Sequence, residues 1–181
     1  MTISMITCMT QDMVIGVDGD LLIPIKPDMI YFKKTTINHV VVMGKNTYLS
    51  LPGAKPLKDR INIIISSTLY NNPPEGFTVY KSIDAFMAAY ADYKDEIFVI
   101  GGNRIYDAFM PYANKLYITL VKRESIGLLK DFGKPYEKVT KFPSSICDYK
   151  WYYTRVNGYD DLYMDKKYGI IPYEFLIFTK R

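Results

Sequence analysis

One carboxylate stands among apolar side chains near the start of a predicted helix, within residues 21–36. Pro27 suits the first position of a helix, because the N–H that it lacks would have no partner there. Asp28 follows it, where the positive end of the helix favours an anion, and Phe32 lies four residues further along the same face. A carboxylate beside an aromatic ring in an apolar wall is a candidate pocket acid. The alternative is that Asp28 only caps the helix.

Two other segments place glycine at the carboxyl end of a predicted strand, just before a helix: Gly44-Lys45-Asn46-Thr47 and Gly101-Gly102-Asn103-Arg104. Glycine lets the backbone approach a ligand closely, and the free N–H groups of a helix start can bind phosphate. Two such starts in one sheet could hold a pyrophosphate from opposite sides. Neither is a GxGxxG motif, so the sequence lacks the Rossmann fingerprint. Glycine before a helix is also common where no ligand binds, which is the alternative for both segments.

The composition indicates one globular domain over residues 1–181, with 49% hydrophobic and 23% charged residues. The net charge of +4 suits a small anionic ligand. Lysine and arginine occur in scattered pairs rather than in a continuous stripe, so no nucleic-acid partner is expected. No apolar stretch is long enough to span a bilayer, so no membrane partner is expected either.

The two cysteines, Cys8 and Cys147, and the single histidine, His39, show no metal-binding spacing, so we expect no metal. Cys8 is expected to be a small buried hydrophobe, and His39 a residue at a strand edge rather than a catalyst. The chain enters a strand at once, without the pattern of a secretory signal. We therefore expect a reduced, cytoplasmic protein. Separately, we expect it to act as a monomer.

Short apolar, β-branched runs alternate with short helical patterns, which predicts an α/β fold with a central, mostly parallel sheet of about eight strands and flanking helices. Strands are predicted at 2–9, 39–43, 60–66, 77–80, 96–100, 115–121, 149–156 and 173–180, and helices at 27–37, 45–51, 82–91 and 102–110. Residues 71–76 indicate a surface turn, 124–148 a long loop or short helical insertion, and 158–169 the turn of the last hairpin. In the first helix, Met29, Ile30, Phe32 and Ile37 recur at roughly helical spacing and are expected to face a core.

Taken in order, these segments resemble the dihydrofolate reductase family. The matching segments are ISMITCMTQDMVIGVDGDLL, LLIPIKPDMIYFKKTT, HVVVMGKNTYLSLP, RINIIISS and EIFVIGGNRIYDAFMPYANKLYITLV. The resemblance runs from residue 3 to about residue 121 and returns in the closing strand, PYEFLIFTKR. It implies NADPH-dependent reduction of 7,8-dihydrofolate to 5,6,7,8-tetrahydrofolate, in support of one-carbon and thymidylate metabolism.

The resemblance also implies where NADPH would bind. The cofactor-binding positions are Ile15, Gly16, Gly44, Lys45, Asn46, Thr47, Ser66, Ser67, Gly101, Gly102, Asn103, Arg104, Ile105 and Tyr106. Lys45 and Ser67 match positions that contact the 2′-phosphate, and the family's Gly-Gly peptide is cis. Lys45 stands where the family often has arginine. The lysine ammonium would therefore contact the phosphate as a single charge, without the two parallel hydrogen bonds that a guanidinium can donate.

On the substrate side, Asp28 matches the family's pocket carboxylate, and Thr119 matches the residue whose hydroxyl supports it. Asp28 would bind the pterin amide and 2-amino group through paired hydrogen bonds. The other substrate-binding positions are Ile6 and Ile100 as pterin walls, Phe32 as a stacking ring, Arg60 as the partner of the glutamate-tail carboxylate, and Lys33 as an additional charge. The alternative for Arg60 is a surface cation at a strand start.

The chain departs from the family pattern in three places. Ile23 stands about where a tryptophan commonly precedes the acidic helix, Val139 stands where many members have aspartate, and residues 124–148 look longer than in compact bacterial forms. Two alternatives therefore stay open. One is a reductase of ribosylated pyrimidines in flavin biosynthesis, and the other is a folate- or nucleotide-binding protein that keeps the fold without catalysis.

Overall fold

The computed structural model describes residues 1–133, 138–157, 161–166 and 169–181. The strands in these ranges are β1 Thr2–Thr10, β2 Val14–Val17, β3 Asp20–Leu21, β4 Val40–Gly44, β5 Ile61–Ile65, β6 Thr78–Tyr80, β7 Glu96–Gly101, β8 Lys115–Val121, β9 Val139–Lys141, β10 Trp151–Arg155, β11 Leu162–Asp165 and β12 Gly169–Lys180. The α-helices are α1 Lys26–Thr36, α2 Lys45–Ser50, α3 Ile83–Ala89, α4 Asn103–Phe109 and α5 Ser125–Phe132. Short 3-10 turns follow at Pro52–Ala54, Met110–Tyr112 and Ser144–Asp148.

A large, mostly parallel sheet organises the fold, as the sequence predicts. Within the described residues it has nine strands in the order β10-β12-β8-β1-β7-β4-β5-β6, with β11 pairing to β12. Strands β1 and β4 to β8 are mutually parallel, and β12 returns antiparallel to β8. All eight predicted strands are present in this sheet, with ends that differ by a few residues.

Strand β4 is buried along its whole length, because both faces of the central sheet are covered. Val41 and Met43 pack into one apolar cluster, and Val40 and Val42 pack into another. Successive side chains of a strand point to opposite faces, so a strand covered on both sides needs an unbroken apolar run. The first cluster includes Tyr31 of α1. The second cluster includes side chains of α3 and α4.

The outward face of α1 is not the one that its sequence pattern predicts. Met29 is 50% exposed and Ile30 43% exposed, so the expectation that both face a core is wrong. The buried residues of the helix are Asp28, Tyr31 and Thr36 instead. The helix is rotated so that its carboxylate, rather than its two exposed apolar side chains, points inward.

Four short strands were not predicted. Strands β3, β2 and β9 form a separate three-stranded sheet, in which Val17 pairs with Val139. Within 124–148, where we expected a long loop or short helical insertion, the chain forms α5, β9 and a 3-10 turn. Strand β11 occupies part of the expected 158–169 turn, and residues 158–160 and 167–168 of that turn lie outside the described residues. No helix in the described ranges has both the length and the apolar character needed to cross a membrane.

Candidate active site

Most of the predicted cofactor-binding residues lie at one edge of the large sheet, whereas Arg60 directly precedes β5 and lies at the amino end of that strand. Because β1, β4, β5, β7 and β8 are parallel, their carboxyl ends meet at the same edge. Ligands of open α/β sheets bind outside the carboxyl ends of the strands. The two glycine turns follow β4 and β7 at this edge, and Ser66 and Ser67 follow β5.

Asp28 is buried against strand β8 and bonded to Thr119. The Asp28 side chain is only 8% exposed, and the hydroxyl of Thr119 donates a 2.5 Å hydrogen bond to its Oδ1. Burial raises the pKa of Asp28 to about 6, although the bond from Thr119 acts in the opposite direction. The carboxyl group therefore titrates near neutral pH.

The position of Asp28 argues against a role limited to helix capping. Helix α1 begins at Lys26, and its N-cap residue, Ile25, makes no side-chain capping hydrogen bond, so the cap position is not filled by Asp28. The carboxylate is directed at β8 instead, through its bond with Thr119. A raised pKa in a buried group at a sheet edge is typical of a functional carboxylate.

Ile6 and Ile100 lie on the neighbouring strands β1 and β7, within or against one apolar cluster. Cys8 pairs with Thr119 across β1 and β8, so it lies close to the carboxylate. Burial, with the charge of Asp28, raises the pKa of the Cys8 thiol. Cys8 and Ile23 line the same small, mainly apolar gap. Ile23, which stands about where the sequence departs from the family pattern, therefore contributes an apolar side chain close to Cys8.

Arg60 lies next to Phe32 and retains an unused donor. Its guanidinium carbon is 5.7 Å from the centre of the Phe32 ring, and Nη2 donates to the backbone oxygen of Lys33 at 3.4 Å. Its Nε is buried, with no hydrogen-bond partner among the described residues. Burial lowers the pKa of Arg60, although Asp59 opposes the shift. A buried, unpaired N–H of a guanidinium suits a ligand carboxylate.

The two glycine turns approach each other closely, and the Gly101–Gly102 peptide is cis, which confirms that expectation. A Cβ on Gly44 would lie 2.8 Å from Cγ1 of Ile105, and one on Gly101 would lie 3.3 Å from Oγ1 of Thr47. Gly101 also has φ +125°, which disfavours any other residue. The glycines therefore keep two helix starts, α2 and α4, close together and open to a ligand.

Tyr106, in the helix that follows the second glycine turn, connects that turn to strand β1. Its hydroxyl donates a 2.8 Å hydrogen bond to the backbone oxygen of Ile6, and its side chain is 3% exposed. Asn103 is engaged elsewhere, since its amide donates to the backbone oxygen of Lys141 at 2.6 Å. Asn46 and Arg104 are exposed beside the turns.

Lys45 lies at a group of hydroxyls after β5. Its Nζ donates to Oγ1 of Thr68 at 3.4 Å, and Oγ of Ser66 lies 3.2 Å from the same oxygen. Ser67 is exposed between them. Thr68 was not among the residues predicted from the sequence, although it follows Ser66 and Ser67 directly in a run of hydroxyl side chains. An exposed ammonium with hydroxyls suits a phosphate group.

Ile15 and Gly16 lie in β2, between the end of β1 and strand β9. A Cβ on Gly16 would lie 2.6 Å from the backbone oxygen of Asp20, so the tight β2–β3 hairpin requires glycine. Within the described residues, no group of three or more His, Cys, Asp or Glu side chains is arranged to hold a metal ion.

The chain is similar to proteins described as dihydrofolate reductase. The family model with that description matches residues 2–131. A dihydrofolate reductase of Bacillus subtilis is 32% identical over 181 residues, covering 99% of this chain and 95% of the relative. One of Ureaplasma parvum is 37% identical over 120 residues, covering 66% of this chain and 75% of the relative.

A solved structure shares the fold. It is a dihydrofolate reductase from Enterococcus faecalis complexed with NADP(H) and RAB-propyl, with a TM-score of 0.76 and 21% sequence identity. The match covers 99% of this chain and 96% of that one. At this identity the likeness establishes the fold, and the family rests on the sequence comparisons.

Proposed function

The chain belongs to the dihydrofolate reductase family, and on that premise we propose that Asp28 is the carboxylate on which its reaction depends. The protein is an oxidoreductase that reduces 7,8-dihydrofolate to 5,6,7,8-tetrahydrofolate with NADPH, and it thereby serves one-carbon metabolism. The observation that carries the proposal is the buried Asp28–Thr119 pair at the carboxyl edge of the sheet.

Asp28 would hold the pterin through its amide N3 and 2-amino group. A carboxylate accepts two parallel hydrogen bonds from such a planar donor pair, which fixes the ring in one orientation. We propose that Asp28 does not hand its proton to the substrate directly. It polarises the ring and favours its protonated form, and water carries the proton to N5. Thr119 keeps the carboxylate in place through its 2.5 Å bond.

The residues around the two glycine turns fit NADPH, since the turns leave no room for Cβ atoms where two helix starts meet. When bound, NADPH supplies the hydride that reduces the pterin at C6. The residues proposed to hold it are Ile15, Gly16, Gly44, Lys45, Asn46, Thr47, Ser66, Ser67, Gly101, Gly102, Asn103, Arg104, Ile105 and Tyr106. Lys45 and Ser67 would contact the 2′-phosphate, and the position of Thr68 beside them supports that assignment.

The rest of the substrate would extend along α1 towards Arg60. Ile6 and Ile100 would wall the pterin, and Phe32 would contact the pterin and benzoyl rings. Arg60 would pair with the glutamate α-carboxylate, which its unpartnered Nε supports. Lys33 is exposed nearby and would add positive charge.

We also propose that residues 1–181 form one domain that acts as a cytoplasmic monomer. Both cysteines, Cys8 and Cys147, are free thiols, which suits a reducing compartment. Gel filtration with light scattering tests the oligomeric state, and a mass of two chains would contradict the monomer.

Product analysis of the purified protein tests the reaction. With dihydrofolate and NADPH it should form tetrahydrofolate, with much slower turnover on NADH. With a ribosylated aminopyrimidine it should form no product. Reduction of the pyrimidine but not of dihydrofolate would favour the first alternative left open by the sequence, and ligand binding without turnover would favour the second.

A further inference from the structure

Helix α5 receives its N-terminal cap from a residue far away in the chain. Ser125, the first residue of α5, is fully buried, and the preceding Glu124 makes no side-chain cap. The carboxylate of Asp12 takes that place. Its Oδ1 accepts from the backbone N–H of Ser125 at 2.9 Å, and its Oδ2 accepts from the Ser125 hydroxyl at 2.5 Å. Asp12 therefore satisfies a helix start that would otherwise hold a buried, unpaired N–H.

The same carboxylate is bonded to the strand that precedes β2. The hydroxyl of Thr10 donates to Oδ1 of Asp12 at 2.7 Å and accepts from the backbone N–H of Val14 at 3.0 Å. A continuous chain of hydrogen bonds thus runs from Ser125 through Asp12 and Thr10 to Val14, the first residue of β2. Thr10 and Ser125 are buried, whereas Asp12 between them is partly exposed, so the two donors are shielded from water more than the carboxylate is.

Asp12 is held as an anion in this position. Burial disfavours its charge, but the hydrogen bonds from Ser125 and Thr10 outweigh that effect and lower the pKa of the carboxyl group. A charged acceptor makes hydrogen bonds roughly twice as strong as a neutral one.

The segment after α5 holds the other side of the same loop. The backbone N–H of Phe142 donates to the oxygen of Met13 at 2.8 Å, and β9 pairs with β2 from Val14 to Val17. Leu128 of α5 packs in the same apolar cluster as Val14. The β1–β2 turn and β2 therefore contact α5 on one side and β9 on the other.

We propose that Asp12 is a positioning residue, which ties α5 to β2 and so holds Ile15 and Gly16 in place for the cofactor. The role of Ile15 and Gly16 in this inference rests on the proposed function. The contact that joins α5 to β2 through Asp12 does not depend on it. Asp12 would act without touching cofactor or substrate.

Amide hydrogen exchange of the ligand-free protein tests the tie. Asp12→Asn keeps one acceptor oxygen but removes the negative charge that strengthens the bonds from Ser125 and Thr10, so exchange of the β2 amides should speed up at least about tenfold. Amides of β7 and β8 should be unchanged. Ser125→Ala leaves the backbone donor and should give a smaller increase, and it keeps the test available if Asp12→Asn does not fold. Unchanged β2 exchange in a folded Asp12→Asn variant, or in Ser125→Ala if Asp12→Asn does not fold, would overturn the proposal.

Cofactor binding tests the consequence. Asp12→Asn should raise the Kd for NADPH at least about tenfold and change the Kd for dihydrofolate by less than about twofold. Adding Ser125→Ala to Asp12→Asn should cost little more, because the two residues act through one contact. The matched control is Asp131→Asn in the same helix, which breaks an exposed ion pair with Arg123, two residues before the helix, and should leave both constants unchanged.

Equal losses in Asp12→Asn and Asp131→Asn, or equal losses for both ligands, would mean general damage to α5 and would contradict positioning. If the unmodified protein bound no NADPH, the proposed function would fail, while hydrogen exchange would still decide whether Asp12 holds β2.

Discussion

The hydroxyl of Thr119 lies 2.5 Å from Oδ1 of Asp28, so a hydrogen bond from strand β8 holds a buried carboxylate of helix α1. This contact joins residues 91 positions apart. Burial raises the pKa of Asp28 to about 6, from an ordinary value of 3.8. The pair thus places a carboxyl group with a pKa of about 6 near the carboxyl ends of the strands, the edge at which open α/β sheets generally bind ligands.

Replacing Asp28 with asparagine should stabilise the protein at neutral pH. Because the folded-state pKa lies above the unfolded one, the folded protein binds more protons between pH 3.8 and about 6, and its stability falls as the pH rises through that window. Asparagine has no charge to bury and can still accept from Thr119. Urea unfolding should show a gain of up to about 3 kcal/mol above pH 6, vanishing below about pH 4. A gain independent of pH would contradict the raised pKa.

Thr119→Val should raise the pKa of Asp28 further. The hydroxyl bonds to the charged form, so its loss disfavours that form. NMR titration of carboxyl-labelled aspartate should show the midpoint move upward from the wild-type value. The variant should also lose about 1–3 kcal/mol of stability at pH 7, and less in acid, where Asp28 is neutral. A midpoint that moves downward would refute the assigned donor.

Arg60→Gln should weaken the binding of dihydrofolate, because the variant loses the partner of the glutamate-tail carboxylate. A charge-assisted pair is worth about 1.5–3 kcal/mol, so the KM should rise about 10- to 100-fold. A dihydropterin without the tail should be little affected, because it has no carboxylate for the arginine. The control is Lys58→Gln, the same loss of charge at an exposed neighbour. Equal losses with both substrates would remove Arg60 from the binding site.

The double change of Lys45 and Ser67 to alanine should raise the Kd for NADPH about 10- to 100-fold and leave the Kd for NADH nearly unchanged. The reason is that only NADPH carries the 2′-phosphate. Fluorescence titration with each cofactor measures both constants. Lys94→Ala, an exposed lysine at the opposite edge of the sheet, removes a charge without a proposed contact and should change neither constant. Equal weakening of both cofactors would show that these residues do not read the phosphate.

The central strands could be predicted because their apolar, β-branched runs are unbroken and bounded by glycine or turns, as in β4. Strands β3 and β9 could not, because they have two and three residues and depend on pairings distant in sequence, such as Val17 with Val139. The inward face of α1 was wrongly predicted because its apolar spacing fits more than one rotation of the helix. The burial of Asp28 against β8 decides between them.

The candidate site was predicted mainly through the resemblance, which assigns local motifs in order. Residues that reach the site only through the fold were not predicted. Thr68 was missed because only the fold brings it to Lys45. Asp12 was missed because its partner Ser125 lies 113 residues away, in an insertion without a clear pattern.

The rate of NADPH oxidation with dihydrofolate, compared between the unmodified protein and Asp28→Asn across pH, tests the central claim most directly. Asparagine keeps the shape of the side chain but cannot favour a protonated pterin. Turnover at neutral pH should therefore fall about 10²–10⁴-fold and recover partly in acid, where the substrate is protonated beforehand. Near-normal turnover of Asp28→Asn at neutral pH would contradict the assignment of Asp28.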